Sequence, residues 1–217
     1  MIRAIDLTRP LSSHSLSYPG DRSGLCIRRV DIGDPDCLVS ELTRLDLHLG
    51  THIDAPLHFI PGGVSIADLG TPLFPAVLIE TTEDTIGPES IPDDVDGCAV
   101  LFDTGWTKSP DEPGYFEGYS TLTQEAANLL VERGAALVGF DTPSADTVSM
   151  ELGFPIHRTF LAASIPIVEG LAGFDRLREV NCDHIWFGAF PLPLAGVEGS
   201  PIRAVAFVVE GQKIRET

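Results

Sequence analysis

Five short apolar runs punctuate the chain: residues 76–80 (AVLIE), 99–102 (AVLF), 136–140 (ALVGF), 165–168 (IPIV) and 202–209 (IRAVAFVV). Each is too short for a typical helix and is bounded by turn-forming residues, which predicts strands. Pro166 has no N–H to offer a ladder, so the fourth run fits only an edge or the start of a strand. Residues 120–134 (STLTQEAANLLVERG) carry a helical period instead, with Ala127, Leu130 and Val131 on one stripe. Thr121 stands three residues before Gln124, a capping-box spacing, and Gly134 can end the helix. A second helix is expected within residues 154–164 (FPIHRTFLAAS), with Pro155 in its first turn. Strands and helices mix, but the helices are too few for a doubly wound sheet. The expected fold is α/β, with a mixed sheet or partial β-barrel and flanking helices.

Composition adds limits rather than an identity. The 21 glycines and 17 prolines are spread through all 217 residues, so residues 1–217 read as a single domain with many tight connections. The formal net charge of −18, from 32 acids against 14 bases, opposes binding to nucleic-acid backbones or anionic lipid. No stretch resembles a secretory signal or a membrane span, which favours the cytoplasm. Cys26, Cys37, Cys98 and Cys182 lack zinc-ribbon spacing and are expected to be reduced, mostly buried thiols. No phosphate-loop or dinucleotide-binding glycine motif is present.

The concentration of histidine changes the picture. Residues 46–59 (DLHLGTHIDAPLHF) hold three of the six histidines in the chain, with two aspartates. His48, His52, Asp54 and His58 would share one face of an extended strand. Four extended residues span about 13 Å, however, far beyond what one cation can bridge with bonds of about 2.0–2.2 Å. The chain must therefore bend between His48 and His52, and Gly50 permits it. Imidazole and carboxylate together suit zinc, manganese or iron, while a loop that merely collected polar residues is the competing reading. The spacing does not distinguish one ion from two.

In this segment every fixed position of His-x-Gly-Thr-His-x-Asp-x-Pro-x-His-Phe is met. It resembles the signature of the metal-dependent cyclase family, which includes bacterial kynurenine formamidase (an arylformamidase) and isatin hydrolase. YPGD at residues 18–21, GFDTPSAD at 139–146, HRTFLAASIPIVEGL at 157–171 and PLPLAGVEGSPIRAVAF at 191–207 resemble further family segments. The resemblance implies a cyclase-like swivelling β/α/β fold. It also implies a divalent metal cofactor, zinc (one or two ions) or manganese. His48 and His52 would bind a first ion, Asp54 would bridge, and His157 and Glu169 would complete a second site. His58 would remain as the catalytic acid/base, with Tyr18 and Phe59 against the substrate. The implied partners are a small aromatic amide substrate and further copies of the chain, in a homodimer or higher homo-oligomer.

The expected reaction is hydrolysis of the amide C–N bond of an N-formyl arylamine such as N-formylkynurenine. Opening of isatin or a related cyclic amide, lactone or carbamate is the alternative. A metal-dependent lyase or dehydratase and a noncatalytic metal-binding protein are the rivals from other classes. Tyr18 stands where the family pattern commonly has tryptophan, which leaves the substrate more open than the chemistry. Phe154 and Phe190 are further candidate pocket walls, and residues 103–106 (DTGW) a candidate for another wall. His14 is expected in solvent and His184 in a structural role. Ser144 lacks a nucleophile elbow, so DTPSAD reads as a turn whose side chains cap backbone groups.

Overall fold

The computed structural model describes residues 2–20, 24–148, 153–180 and 184–209. Strands β1 (Ile2–Asp6), β2 (Leu25–Val30), β3 (Val39–Leu45) and β4 (His52–Asp54) lead to a 3₁₀ turn, Pro56–His58, the first of three such turns among the described residues. Then come β5 (Leu73–Glu80), β6 (Thr85–Ile86), β7 (Ala99–Asp103), β8 (Thr121–Leu122), helix α1 (Gln124–Glu132) and β9 (Leu137–Phe140). Helix α2 (Pro155–Ala162), β10 (Ile167–Glu169), α3 (Phe174–Arg178), β11 (Ile185–Pro191) and β12 (Gly199–Val209) complete the order. Cys182 and Asp21 lie outside the described residues.

The main sheet runs β1-β12-β11-β5-β7-β9-β10-β4, and β12 also pairs with β4. That last pairing closes seven strands into a barrel-like ring, with β1 added alongside β12. Strands β5, β7, β9 and β10 are mutually parallel, while β4, β12 and β11 pair antiparallel. Parallel neighbours need crossovers, and α1 and α2 provide two of them, on the outside of the ring. The architecture is therefore a mixed α/β barrel with flanking helices.

Strand period explains why β7 as far as Phe102, and β9 throughout, carry no polar side chain. Ala99 and Leu101 enter the cluster inside the ring with Ile53, Leu137, Val168, Phe187 and Ala204. Val100 and Phe102 point the other way, into a second cluster with Leu130 of α1 and Phe160 of α2. Both faces are covered, so no polar alternation survives. Phe102 and Phe140 stack across adjacent strands at 5.0 Å between centroids. Burying side chains of this size stabilises by about 1.5–3 kcal/mol each. On β12 only Ile202, Ala204, Ala206 and Val208 turn inward, and the other face is partly exposed.

Several expectations need correction. Thr121 is not the cap of α1: it pairs with Thr85 in a small parallel bridge, so the helix starts later. Thr123 is the cap, its Oγ1 accepting from Ala126 N–H at 3.1 Å. Gln124 is already helical and donates to Asn128 and Thr159 instead. Gly134 follows the helix with φ +75°, as the pattern predicts. Cys26 and Cys37 are exposed and Cys98 is half-buried, rather than buried as expected. Cys26 lies on β2, which pairs only with β3 in a two-stranded arm outside the ring, so neither face is covered. No described helix is long and apolar enough to cross a membrane.

Candidate metal centre

The histidine segment folds in three different ways within eleven residues. His48 lies in a turn, His52 and Asp54 on β4, and His58 in the 3₁₀ turn opened by Pro56. The bend falls at Gly50, with φ +68°. On β4 the alternation sends Ile53 into the core and His52 and Asp54 to the opposite, outer face of the ring. Register then brings distant residues together. Glu169 of β10 stands directly opposite His52, and Gly199 of β12 opposite Asp54. Helix α2 lays His157 over the same spot.

The resulting cluster is tight. His52 Nε2 lies 3.3 Å from Glu169 Oε2 and 3.6 Å from Asp54 Oδ1. His157 Nε2 lies 3.1 Å from Glu169 Oε1 and 3.5 Å from Asp54 Oδ2. His48 Nδ1 is 2.8 Å from Asp54 Oδ1, and His58 Nε2 is 4.0 Å from Asp54 Oδ2. Two groups of ligand-type atoms emerge, His48–Asp54–His58 and His52–Asp54–Glu169, sharing Asp54. His58, which the resemblance leaves unliganded, thus stands within ligand range of the first group.

The fit to a divalent cation rests on one atom above all. Asp54 Oδ2 is fully buried without a hydrogen bond, its imidazole neighbours His157 and His58 standing 3.5 and 4.0 Å away, and a cation between these groups would satisfy it. The imidazoles are set up to help. His52 Nδ1 faces Gly50 O at 3.0 Å and His157 Nδ1 faces Asp146 at 2.7 Å, which leaves each Nε2 directed at the carboxylates. His48 turns Nδ1 to Asp54 and Nε2 toward Glu198 Oε1, 3.6 Å away. Its ring lies over Gly199, where a Cβ would come 2.7 Å from Cε1.

The electrostatics match this picture. Burial alone would raise Asp54 and Glu169, but His48 and His157 respectively overcome it and hold both carboxyls low. Burial would lower His48, yet Asp54 beside it pushes it up to about 10. His157 is likewise raised, Glu169 outweighing burial. Protons and a cation compete for these nitrogens, because a ligand needs its lone pair. His58 behaves differently: burial dominates, Asp54 opposes it only partly, and the group falls to about 4. It is therefore a neutral imidazole at pH 7.

Above the cluster opens a cavity of about 300 Å³. His48, His52, His58 and Glu169 form its floor, and Leu16, Tyr18, Phe59, Tyr115, Phe116 and Phe154 its walls. Tyr18 meets Phe116 at 5.6 Å and Phe154 at 6.2 Å between centroids. Phe190 is not a wall: it packs against Phe207 on β12. Residues 103–106 are not walls either. Thr104 and Trp106 donate to the buried Asp141 carboxylate, bracing the loop behind the site. Ser144 accepts from Asp146 N–H, as expected of a turn. His14 is exposed, and so is His184, at the approach to β11. Tyr115, Phe116, Asp146 and Glu198 were not singled out from sequence. The aromatic cluster YFEGY at residues 115–119 was the available signal for the first two.

Residues 5–147 match the family model described as "Putative cyclase". The chain belongs to the cyclase family. A kynurenine formamidase of Bordetella petrii is 32% identical over 213 residues, covering 94% of this chain and 98% of that protein. A kynurenine formamidase of Salinibacter ruber is 30% identical over 209 residues, covering 93% and 95%. Isatin hydrolase A from Ralstonia solanacearum superposes with a TM-score of 0.79 at 26% identity, covering 96% of this chain and 92% of that one. Membership and the His–Asp–Glu cluster together make this cyclase-family chain an enzyme, a metal-dependent hydrolase.

One position in this centre tolerates no side chain. Gly170, next to Glu169, has φ +68°, and a Cβ there would lie 2.5 Å from the Gly50 carbonyl oxygen. Thr51 Oγ1 also donates to Gly170 O at 2.6 Å. Gly170→Ala is expected to lose about 2 kcal/mol or more, from left-handed strain plus a backbone clash. Denaturant unfolding checks this, and wild-type stability in the variant would contradict it.

Proposed function

We propose that the chain hydrolyses the amide C–N bond of a small, flat aryl amide, with a cyclic amide of the isatin type as the leading substrate. The observation that carries this reading is the buried, unpartnered Asp54 Oδ2 beneath an aromatic-walled cavity. Aromatic walls suit a planar ring. The likeness to isatin hydrolase A over nearly the whole chain supports the cyclic amide as the leading reading. An N-formyl arylamine such as N-formylkynurenine is the second reading, favoured by the two formamidase relatives.

In this reading His48, His52, Asp54, His157 and Glu169 would hold zinc or manganese. The cation, when bound, polarises the amide carbonyl and acidifies water. Tyr18, Phe59 and Phe154 hold the ring and exclude bulk water. Neutral His58 takes a proton from the attacking water at Nε2 and delivers it to the departing nitrogen. Water adds to the carbonyl carbon, the C–N bond breaks, and the products are a carboxylate and an aryl amine. For a cyclic substrate both stay in one molecule; for a formamide they separate as formate and arylamine.

Purified protein should be assayed on isatin and N-formylkynurenine side by side, with zinc and with manganese. Turnover of isatin with the higher kcat/KM is expected. Faster turnover of N-formylkynurenine would favour the second reading, and inactivity on both would reject the substrate class. Reaction in ¹⁸O-labelled water should place label in the carboxylate, whereas a lyase would leave it unlabelled.

A further inference from the structure

Asp146 carries no role in the reaction described above, yet it is among the most heavily engaged carboxylates of the fold. It is buried, 5% exposed. Oδ1 accepts from Ile156 N–H at 3.0 Å, and Oδ2 accepts from His157 N–H at 2.9 Å and from His157 Nδ1 at 2.7 Å. The first turn of α2 needs such a partner. Its N-cap residue, Phe154, is left-handed (φ 56°) and makes no side-chain cap. A carboxylate ten residues upstream of Ile156 performs that task instead.

The same carboxylate settles the orientation of His157. An ionised carboxylate has no proton to give, so Nδ1 donates to it. That keeps the His157 proton on Nδ1 and leaves Nε2 facing Asp54 and Glu169. Asp146 is itself anchored: Tyr119 donates to its carbonyl at 2.7 Å, and Ser144 Oγ accepts from its N–H at 3.3 Å. The preceding residue, Ala145, donates its N–H to Glu169 Oε1 at 2.6 Å. Two consecutive residues of one turn thus hold both His157 and Glu169.

We propose that Asp146 is a positioning residue that locks His157 with its proton on Nδ1 and so presents Nε2 to the cation. The proposal rests on the reading of His157 as a ligand. In the zinc-loaded full-length protein, a hydrogen-bonded Nδ1 proton of His157 should resonate far downfield in the NMR spectrum. D146N should lose or shift that signal and weaken zinc binding about 10- to 100-fold in competition with a chromophoric chelator. Absence of the downfield proton in the unaltered protein would overturn the proposal even if D146N failed to fold. So would a D146N protein with a lowered metal-free Tm but unchanged zinc affinity, which is the result expected of helix capping alone. H157A separates the two claims: unchanged zinc affinity in H157A refutes the ligand reading, whereas weakening in H157A but not in D146N refutes the role of Asp146 alone.

Discussion

Asp54→Asn is expected to abolish tight cation binding and to lower kcat/KM by about 10³ or more, the loss of several kcal/mol of transition-state stabilisation. Asp54 alone belongs to both ligand groups, so no neighbour replaces it. An amide keeps the shape but offers a weaker, neutral oxygen. Asn Oδ1 can still accept from His48 Nδ1, as Asp54 Oδ1 does at 2.8 Å, and Oδ2 makes no hydrogen bond, so the D54N chain should still fold and melt cooperatively. Metal content after dialysis, alongside steady-state kinetics, is the measurement. A D54N protein that keeps its full metal complement and wild-type turnover would remove the basis for the centre as drawn.

His58→Ala is expected to lower kcat by about 10² to 10⁴ while metal content stays at the wild-type level. His58 is the most exposed imidazole of the cluster, with 27% of its side chain accessible, and it borders the cavity. Burial keeps it neutral, as a proton acceptor near pH 7 must be. The competing geometry is real, since His58 stands with His48 and Asp54 within ligand range. Loss of metal on replacing His58 would make it a ligand rather than a proton carrier. Unchanged turnover with metal retained would rule out both roles.

Much of this site was legible because its residues are adjacent in sequence. Four polar groups in eleven positions, broken by Gly50, could not form a regular helix or a continuous strand and still meet. Physical reasoning required the bend, and the fold makes it there. His157 and Glu169 were different. Each alone resembled a surface histidine or a strand end, and only the similarity of the 157–171 segment to a known family linked them to residues 48–58. Asp146 and Glu198 fall in the 139–146 and 191–207 segments that resemble the family, and the first was read as part of a capping turn, but neither was linked to a particular imidazole. An aspartate after a turn and a glutamate before a glycine are common, and their meaning lies in which imidazole nitrogen they face.

The positions of the strands were partly readable for a similar local reason, though not their order in the sheet. Strands covered on both faces, β7, β9 and β10, announce themselves as apolar runs, and β5 and β12 were located by short apolar runs bounded by turn residues. The two-stranded arm of β2 and β3 buries little, and charged Arg28, Arg29 and Glu41 leave it without periodicity. The expectation of buried cysteines failed on that arm because apolar neighbours in sequence do not ensure a covering layer in space.

By itself, then, the chain's pattern determined a mixed α/β class, the principal strands, α1 and α2, and a bent segment that gathers metal-ligand-type side chains. These follow from local forces: side-chain period, turn chemistry and the reach of a few residues. Tertiary structure alone decided the closure of the ring through β4 and β12, the register that sets Glu169 against His52, and the carboxylate that orients His157. Such pairings join residues more than a hundred positions apart or depend on a single nitrogen's direction. They are set by packing across the whole barrel, which no stretch of the sequence contains.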